Sequence, residues 1–316
     1  LSVDLIHVMV GAILDEDGRV LVTKRPDHVH QGGLWEFPGG KLEPGESPEH
    51  GLARELAEEL GIEVHDSRPL IRIRHHYGDR HVLLDVRRVR SYVGIPAGLE
   101  GQPLAWQRPE TMDPTCFPAA DRPVITALRL PGRMLITGPD PFDPEVFLAR
   151  LARAVAGGIR LVQMRAHELN HAAYRDLARR AFLLCEQGGA RLVLNRDPRE
   201  KVDVPRHGLH LGGQALARLS GRPGRPDDVV GASCHNADDL LRAARLGLDY
   251  ALLSPVRRTD SHPEAEPLGW QRFATLVDAA TLPVYALGGL TGSDLEVARE
   301  HGAQGVAAIR GFWPID

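Results

Sequence analysis

The chain has 316 residues, 43% of them hydrophobic and 25% charged, with a formal net charge of -4. That length suits two domains rather than one compact core, and the near-neutral balance excludes a basic surface for duplex nucleic acid or anionic membrane. No apolar run reaches the roughly 18–20 residues that span a bilayer. Cys116, Cys185 and Cys234 are widely spaced and form no C-x-x-C pair, so they read as buried thiols of a reducing compartment. The opening stretch LSVDLIHVMVGAIL lacks a basic leader and is interrupted by Asp4 and His7. It reads as a strand, and the cytoplasm is the expected location.

Residues 7–13 and 19–23 are rich in β-formers and flank Asp15-Glu16-Asp17-Gly18, which predicts a hairpin. Ser47-Pro48-Glu49 is a helix start, with serine as N-cap and proline at the first helical position, and Gly61 is a natural stop. A helix is therefore predicted over 48–60. IRIRHHY and HVLLDVRRV follow as further strands. From about residue 134 the rhythm changes. MLIT, IRLVQMR, RLVLN, GLHLG, VVGAS, YALL, PVYAL and GVAAI are short apolar strands, mostly separated by helical patterns. Eight strands in that alternation predict a parallel (β/α)8 barrel, a small one with some crossover helices short or missing. RLPGR (129–133) is the expected linker, dividing an α+β domain at 1–131 from an α/β TIM barrel at 132–316.

The predicted helix at 48–60 carries the chemistry of the first domain. Leu52, Ala53, Leu56 and Leu60 share one face, and Arg54, Glu55, Glu58 and Glu59 share much of the other. Glutamates at such spacing repel by a few tenths of a kcal/mol. Either the face is a solvated one or it gathers carboxylates for a purpose. The flanking loop favours the second. Gly39-Gly40 and Gly45 let backbone turn and approach a ligand, and Glu46 lies close enough to Arg54 for a bracing ion pair. Converging hard oxygen donors suit Mg2+ or Mn2+, which neutralise phosphate and orient water.

The spacing G-x5-E-x7-R-E-U-x-E-E-x-G-U (U aliphatic) resembles the Nudix box. It is filled by Gly40, Glu46, Arg54, Glu55, Leu56, Glu58, Glu59, Gly61 and Ile62. LWEFPGGK, GLEGQPLAW and FPAADRPVI extend a resemblance to the MutT-type subgroup across residues 1–131. The resemblance implies a Nudix fold and hydrolysis of a nucleoside diphosphate linked to another group. It implies metal binding by the Gly39 carbonyl, Glu55, Glu58 and Glu59, with Glu100 completing the shell or helping activate water. Either Glu55 or Glu100 would orient or deprotonate that water. Arg25 would meet substrate phosphate or sugar, or else be a strand-end surface arginine. Trp35, beside Glu36 and the substrate-side candidate Phe37, would stack on a base or fill the core. MutT-type enzymes convert 8-oxo-dGTP to 8-oxo-dGMP and pyrophosphate, sanitising the nucleotide pool. Asp121 stands where that pattern has an asparagine; an amide donates and accepts, an ionised carboxylate only accepts.

Residues 134–311 resemble thiamine phosphate synthase and its TenI-type relatives through VQMRAH, LVLNRD, GLHLGG, VGASCH, PLGW, PVYALGGL and GVAAIRG. The resemblance carries over Gln163, Arg165, Asn195, Ser233 and Thr259, with Ser261 a mild change. His167, Arg196, Ala215 and His262 replace two lysines and both acidic magnesium ligands of that pattern, so its usual magnesium site is not expected to form. Arg165, Arg196, His167 and His262 would instead hold a thiazole or phosphate ligand without metal. Gly288-Gly289 and Arg310-Gly311 are either a phosphate cradle or tight barrel turns. His235 resembles the TenI-type proton-transfer histidine, or is a structural hydrogen-bond partner. The expected substrate of the first domain is a small nucleotide. The rival readings are a pyrophosphorylated thiamine precursor or analogue, and a bifunctional protein with synthase or TenI-like activity.

Overall fold

The computed structural model describes residues 5–29, 31–77, 80–139, 141–200, 203–259 and 264–314. The chain separates into two compact units, Leu1–Arg129 and Leu130–Asp316.

In the first unit β1 (Leu5–Ile13), β2 (Val20–Lys24), β3 (Trp35–Glu36) and β4 (Gly39–Lys41) precede helix α1 (Pro48–Leu60). Then come β5 (Glu63–Tyr77), β6 (Arg80–Val93), β7 (Leu104–Gln107) and α2 (Arg122–Arg129). One sheet runs β4-β1-β6-β5 and the other β3-β2-β7. The Asp15–Gly18 turn forms, with the Asp15 carboxylate accepting from the Arg19 backbone at 2.8 Å and side chain at 2.7 Å. The expected hairpin does not continue. A single bridge joins Leu14 to Val20, after which β1 and β2 enter different sheets.

β1 is apolar on both sides because it has a core on each face. Met9 and Ile13 pack with Leu52, Leu56 and Leu60 of α1. Val10 and Ala12, pointing the other way, pack with Phe117, Val124 and Ile125. Helix α1 starts and stops as its caps dictate. Ser47 Oγ accepts from His50 N–H, and Gly61 closes the helix in the left-handed conformation. Burying one face of α1 fixes which way its glutamates point.

The second unit is a closed parallel barrel ordered β10-β11-β12-β13-β14-β15-β8-β9. Its strands are β8 (Arg133–Ile136), β9 (Leu161–Met164), β10 (Arg191–Leu194), β11 (Gly208–Leu211), β12 (Val229–Cys234), β13 (Tyr250–Leu253), β14 (Val284–Leu287) and β15 (Gly305–Ala308). Helices α3 (Pro144–Ala156) and α4 (His171–Gln187) are full crossovers, whereas α5 (Gly213–Arg218) and α8 (Leu295–Glu300) are short. The others are α6 (Ala237–Arg245) and α7 (Gly269–Asp278). Among the described residues between β10 and β11 there is only a 3-10 turn, Pro198–Glu200. The barrel interior is filled by Met134, Ile136, Val193, Leu252 and two tyrosines, Tyr250 and Tyr285, whose rings meet edge to face at 5.8 Å.

Cys185 and Cys234 are buried, and burial pushes both thiols up to about 12. Cys116 corrects the sequence expectation: it is exposed, at the end of the 3-10 turn Pro114–Cys116. Among the described residues no helix is long and apolar enough to cross a membrane.

Candidate functional site

In the first unit the site grows from α1 and the glycine loop beneath it. Arg54 is the hub. Its Nε and Nη2 donate to the two Glu46 oxygens at 3.1 and 3.0 Å, and Nη2 also donates to the Lys41 carbonyl at 3.0 Å. Its Nη1 donates to Glu55 at 2.8 Å and to Glu58 at 3.4 Å. Hydrogen bonds from Arg54 and from the Glu43 backbone hold the Glu46 carboxyl below the usual range. One guanidinium thus organises three of the acids in the box.

Glu59 behaves differently. Its Oε2 accepts the Gly39 N–H at 2.8 Å, and Gln102 Nε2 donates to the Glu59 carbonyl at 3.1 Å. Burial, with Glu36 and Glu100 adding repulsion, pushes the Glu59 carboxyl up to about 7. Gly40 leaves room for Glu55: a Cβ there would fall 1.9 Å from Glu55 Oε2 and push that carboxylate aside.

Around Glu59 lie further carboxyls. Glu36 is raised by burial and by Glu100, against the pull of Arg25, with which it forms an ion pair. Asp121 is buried just before α2, and its carbonyl accepts the N–H groups of Val124 and Ile125. Burial, then Glu36, push its carboxyl up to about 8. At neutral pH Asp121 therefore retains its proton in large part. A carboxylic acid presents one donor and one acceptor, as an amide does. The departure from asparagine is chemically smaller than the sequence suggests.

The structure brings Glu55 and Glu58 to one arginine nitrogen and Glu59 to Gly39. Among the described residues it forms no group of three or more His, Cys, Asp or Glu side chains disposed to hold a metal ion. The reason is visible: Arg54 supplies the positive charge between Glu55 and Glu58, and Gly39 N–H draws Glu59 inward. Glu100 is exposed, its N–H donating to Gln102 Oε1 at 2.9 Å, so Gln102 links the Glu100 loop to Glu59. The donors remain hard oxygens of the kind a divalent cation takes, and the Glu59 carboxyl, raised first by burial and then by Glu36 and Glu100, is the one whose charge a cation would most relieve. Phe37, expected on the substrate side, is buried, its ring stacked on Phe117 at 5.8 Å. Trp35 is half-buried against the same core.

In the barrel a cavity of about 900 Å³ opens at the C-terminal ends of the strands. Gln163, Arg165, Asn195, Ser233, His235, Thr259 and Gly289 all line it. Ser261 and His262 lie outside the described residues. His235 Nδ1 lies 2.9 Å from the Ser254 carbonyl. A carbonyl only accepts, so Nδ1 donates in this contact and Nε2 is the ring nitrogen left for other partners.

Two further groups, one beneath the cavity and one lining it, escaped the sequence reading. His210 is buried in the interior, with Nε2 2.9 Å from Ser233 Oγ and Nδ1 3.1 Å from Tyr250 Oη. Burial, with His167 nearby, lowers its pKa to about 3, so it is neutral. Its signal was GLHLG, where Leu209 and Leu211 face outward and the histidine must face in. Asp197, beside Arg196, is the other. Hydrogen bonds from Arg199 hold its carboxylate down to about 2. Arg196 itself lies 4.2 Å over the Tyr174 ring and donates to the carbonyls of Ala166 and Leu169. With a cation at 196 and Asp197 already paired, the donors present do not fit a magnesium ion at this mouth.

The fold joins an α+β unit carrying an acidic helix site to a parallel barrel with a cavity at its C-terminal mouth. Residues 9–127 match the NUDIX domain family, and residues 133–312 match the thiamine monophosphate synthase family. The 8-oxo-dGTP diphosphatase of Escherichia coli (strain K12) is 36% identical over 124 residues, 39% of this chain and 96% of that protein. The CTP pyrophosphohydrolase of the same strain is 38% identical over 119 residues, 38% of this chain and 88% of that protein. The thiamine-phosphate synthase of Thioalkalivibrio sulfidiphilus (strain HL-EbGR7) is 32% identical over 191 residues, 60% of this chain and 90% of that protein. The chain belongs to both families: Nudix in its first unit, thiamine monophosphate synthase in its second.

Proposed function

We propose that the first unit is a divalent-metal-dependent pyrophosphohydrolase of purine nucleoside triphosphates, with 8-oxo-dGTP as its substrate. Water adds to phosphorus, a phosphoanhydride P–O bond breaks, and 8-oxo-dGMP and pyrophosphate leave. The observation that carries this reading is the Arg54 hub, which holds Glu46, Glu55 and Glu58 while Glu59 stands apart at Gly39. Glu55, Glu58, Glu59 and the Gly39 carbonyl would hold the ion, with Glu55 and Glu58 turning from Arg54 Nη1 to do so. Mg2+ or Mn2+ supplies charge neutralisation of the phosphates and a more acidic water.

The chain's own groups do the rest. Arg54, tied to Glu46 and Lys41, keeps the acids of α1 in register. Glu55 or Glu100 orients or deprotonates the water. Asp121, protonated at neutral pH, donates to and accepts from a purine edge. Arg25 is set beside this group by Glu36.

The test is a substrate panel on the whole chain with Mg2+: 8-oxo-dGTP, dGTP, CTP and thiamine pyrophosphate. The reading expects 8-oxo-dGMP and pyrophosphate, with purines preferred. Preference for CTP would move the substrate to the pyrimidines, and preference for thiamine pyrophosphate would favour a hydrolase of thiamine precursors. No release of pyrophosphate or phosphate from any of the four would overturn the hydrolase reading.

His235 supports a second reading, for the barrel. Its Nδ1 donates to the Ser254 carbonyl and leaves Nε2 for other partners, which suits proton transfer on a thiazole phosphate. Solvent deuterium exchange into a thiazole phosphate, lost in His235→Ala, is its test; no exchange by the unsubstituted chain would sink it.

A further inference from the structure

The mouth of the barrel gathers positive charge on a rigid frame. Arg165 follows β9, Arg196 follows β10, Arg258 follows β13 and Arg310 follows β15, and all four line one cavity with His167. Among the described residues that line the cavity only Asp197 and Glu200 are acids, and both are engaged. Asp197 Oδ1 accepts from Arg199 Nε at 3.0 Å, and Glu200 lies 3.5 Å from Arg196 Nη1. Burial, and then the charges of Arg165 and Arg196, hold the His167 pKa below that of ordinary imidazole, even though Glu168 lies 4.0 Å from Arg165 Nη1 and Glu200 lies near Arg196.

Independent features point to a ligand in the same place. Gln163 is only 3% exposed and lines the cavity, yet its Oε1 is buried without a hydrogen-bond partner. An orphan acceptor of this kind calls for a donor, which the organic part of a phosphorylated ligand would bring. Gly289 adopts φ +64°, and a Cβ there would lie 2.5 Å from the Arg258 carbonyl, so the backbone after β14 folds tightly against the next loop. Arg196 is immobilised by two backbone carbonyls and by Tyr174, and a fixed guanidinium loses little freedom when it takes up an oxyanion.

We propose that this cavity binds the phosphate or pyrophosphate group of a small phosphorylated ligand without a divalent metal, Arg165 and Arg196 supplying the positive charge a metal would otherwise bring. The proposal does not depend on the hydrolase reading of the first unit.

The test uses the full chain and inorganic pyrophosphate as the probe, titrated calorimetrically in EDTA and again with Mg2+. Saturable binding in EDTA is expected. Arg165→Ala should weaken it about tenfold or more, the worth of a charge-assisted hydrogen bond. Arg165 is 46% exposed, so that variant should keep its fold, which its thermal transition will check. Arg54→Lys, in the other unit, should leave binding in EDTA unchanged. The proposal is overturned if pyrophosphate binds only with Mg2+ or not at all. It is also overturned if binding in EDTA survives Arg165→Ala and is lost in Arg54→Lys.

Discussion

Arg54 and Glu46 are joined by a two-pronged ion pair, Nε to Oε1 at 3.1 Å and Nη2 to Oε2 at 3.0 Å, across the loop that enters α1. The parallel geometry matters because lysine cannot reproduce it: a point charge can meet one oxygen but cannot also reach Glu55 and the Lys41 carbonyl. Arg54→Lys should therefore fold but lose the alignment of Glu55 and Glu58. A fall of roughly 100-fold in kcat/KM for nucleotide hydrolysis is expected, the scale of a small misplacement of catalytic groups. Steady-state kinetics beside a thermal melt checks it; a melt that collapses with the activity would make Arg54 a folding residue instead.

Gly40 gives a sharper separation of site from fold. The nearest atom to a built Cβ is Glu55 Oε2 at 1.9 Å, the far end of a side chain that can swing away. Gly40→Ala should leave the melting temperature within a few degrees of the parent and cut turnover by about 10-fold or more by displacing Glu55. Unaltered turnover would mean that the Glu55 carboxylate does not need its present position.

Much of this was legible in the sequence, and what was not has a common cause. The helix at 48–60 was readable because its caps and its apolar face are local signals. The eight barrel strands were readable because each is a short apolar run between breakers. The hairpin at Asp15–Gly18 was misread because the turn is local but the sheet each strand joins is decided by packing against α1 and α2. The burial of Phe37 was hidden for the same reason: its ring meets Phe117, eighty positions along the chain. The protonation of Asp121 depends on burial, and burial is a long-range quantity.

Asp121 leads to a prediction about pH. In the unfolded chain an aspartate ionises near pH 3.9; in the fold its carboxyl is pushed up to about 8. Between those values the folded state holds a proton that the unfolded state has released, so stability falls as pH rises from about 4 to about 8. Asp121→Asn has no such proton to hold. Its melting temperature should match the parent at or below about pH 4 and exceed it at pH 9, while purine triphosphates should still be hydrolysed because an amide also donates and accepts. Parallel pH dependences of the two melting curves would show that Asp121 is ionised in the fold.

The barrel interior makes the last prediction. Tyr250 Oη is 3.1 Å from His210 Nδ1, and the other ring nitrogen is 2.9 Å from Ser233 Oγ at the cavity. Tyr250→Phe keeps the ring that fills the barrel beside Gly231 and removes only the hydroxyl. His210 is fully buried, so no water replaces the lost partner. The cost should be that of one unsatisfied buried polar group, about 1–3 kcal/mol. Chemical denaturation read by a barrel tryptophan, Trp270 or Trp313, measures it with the fold otherwise intact. A variant as stable as the parent would show that the hydroxyl contributes nothing and that His210 is held by Ser233 and packing alone.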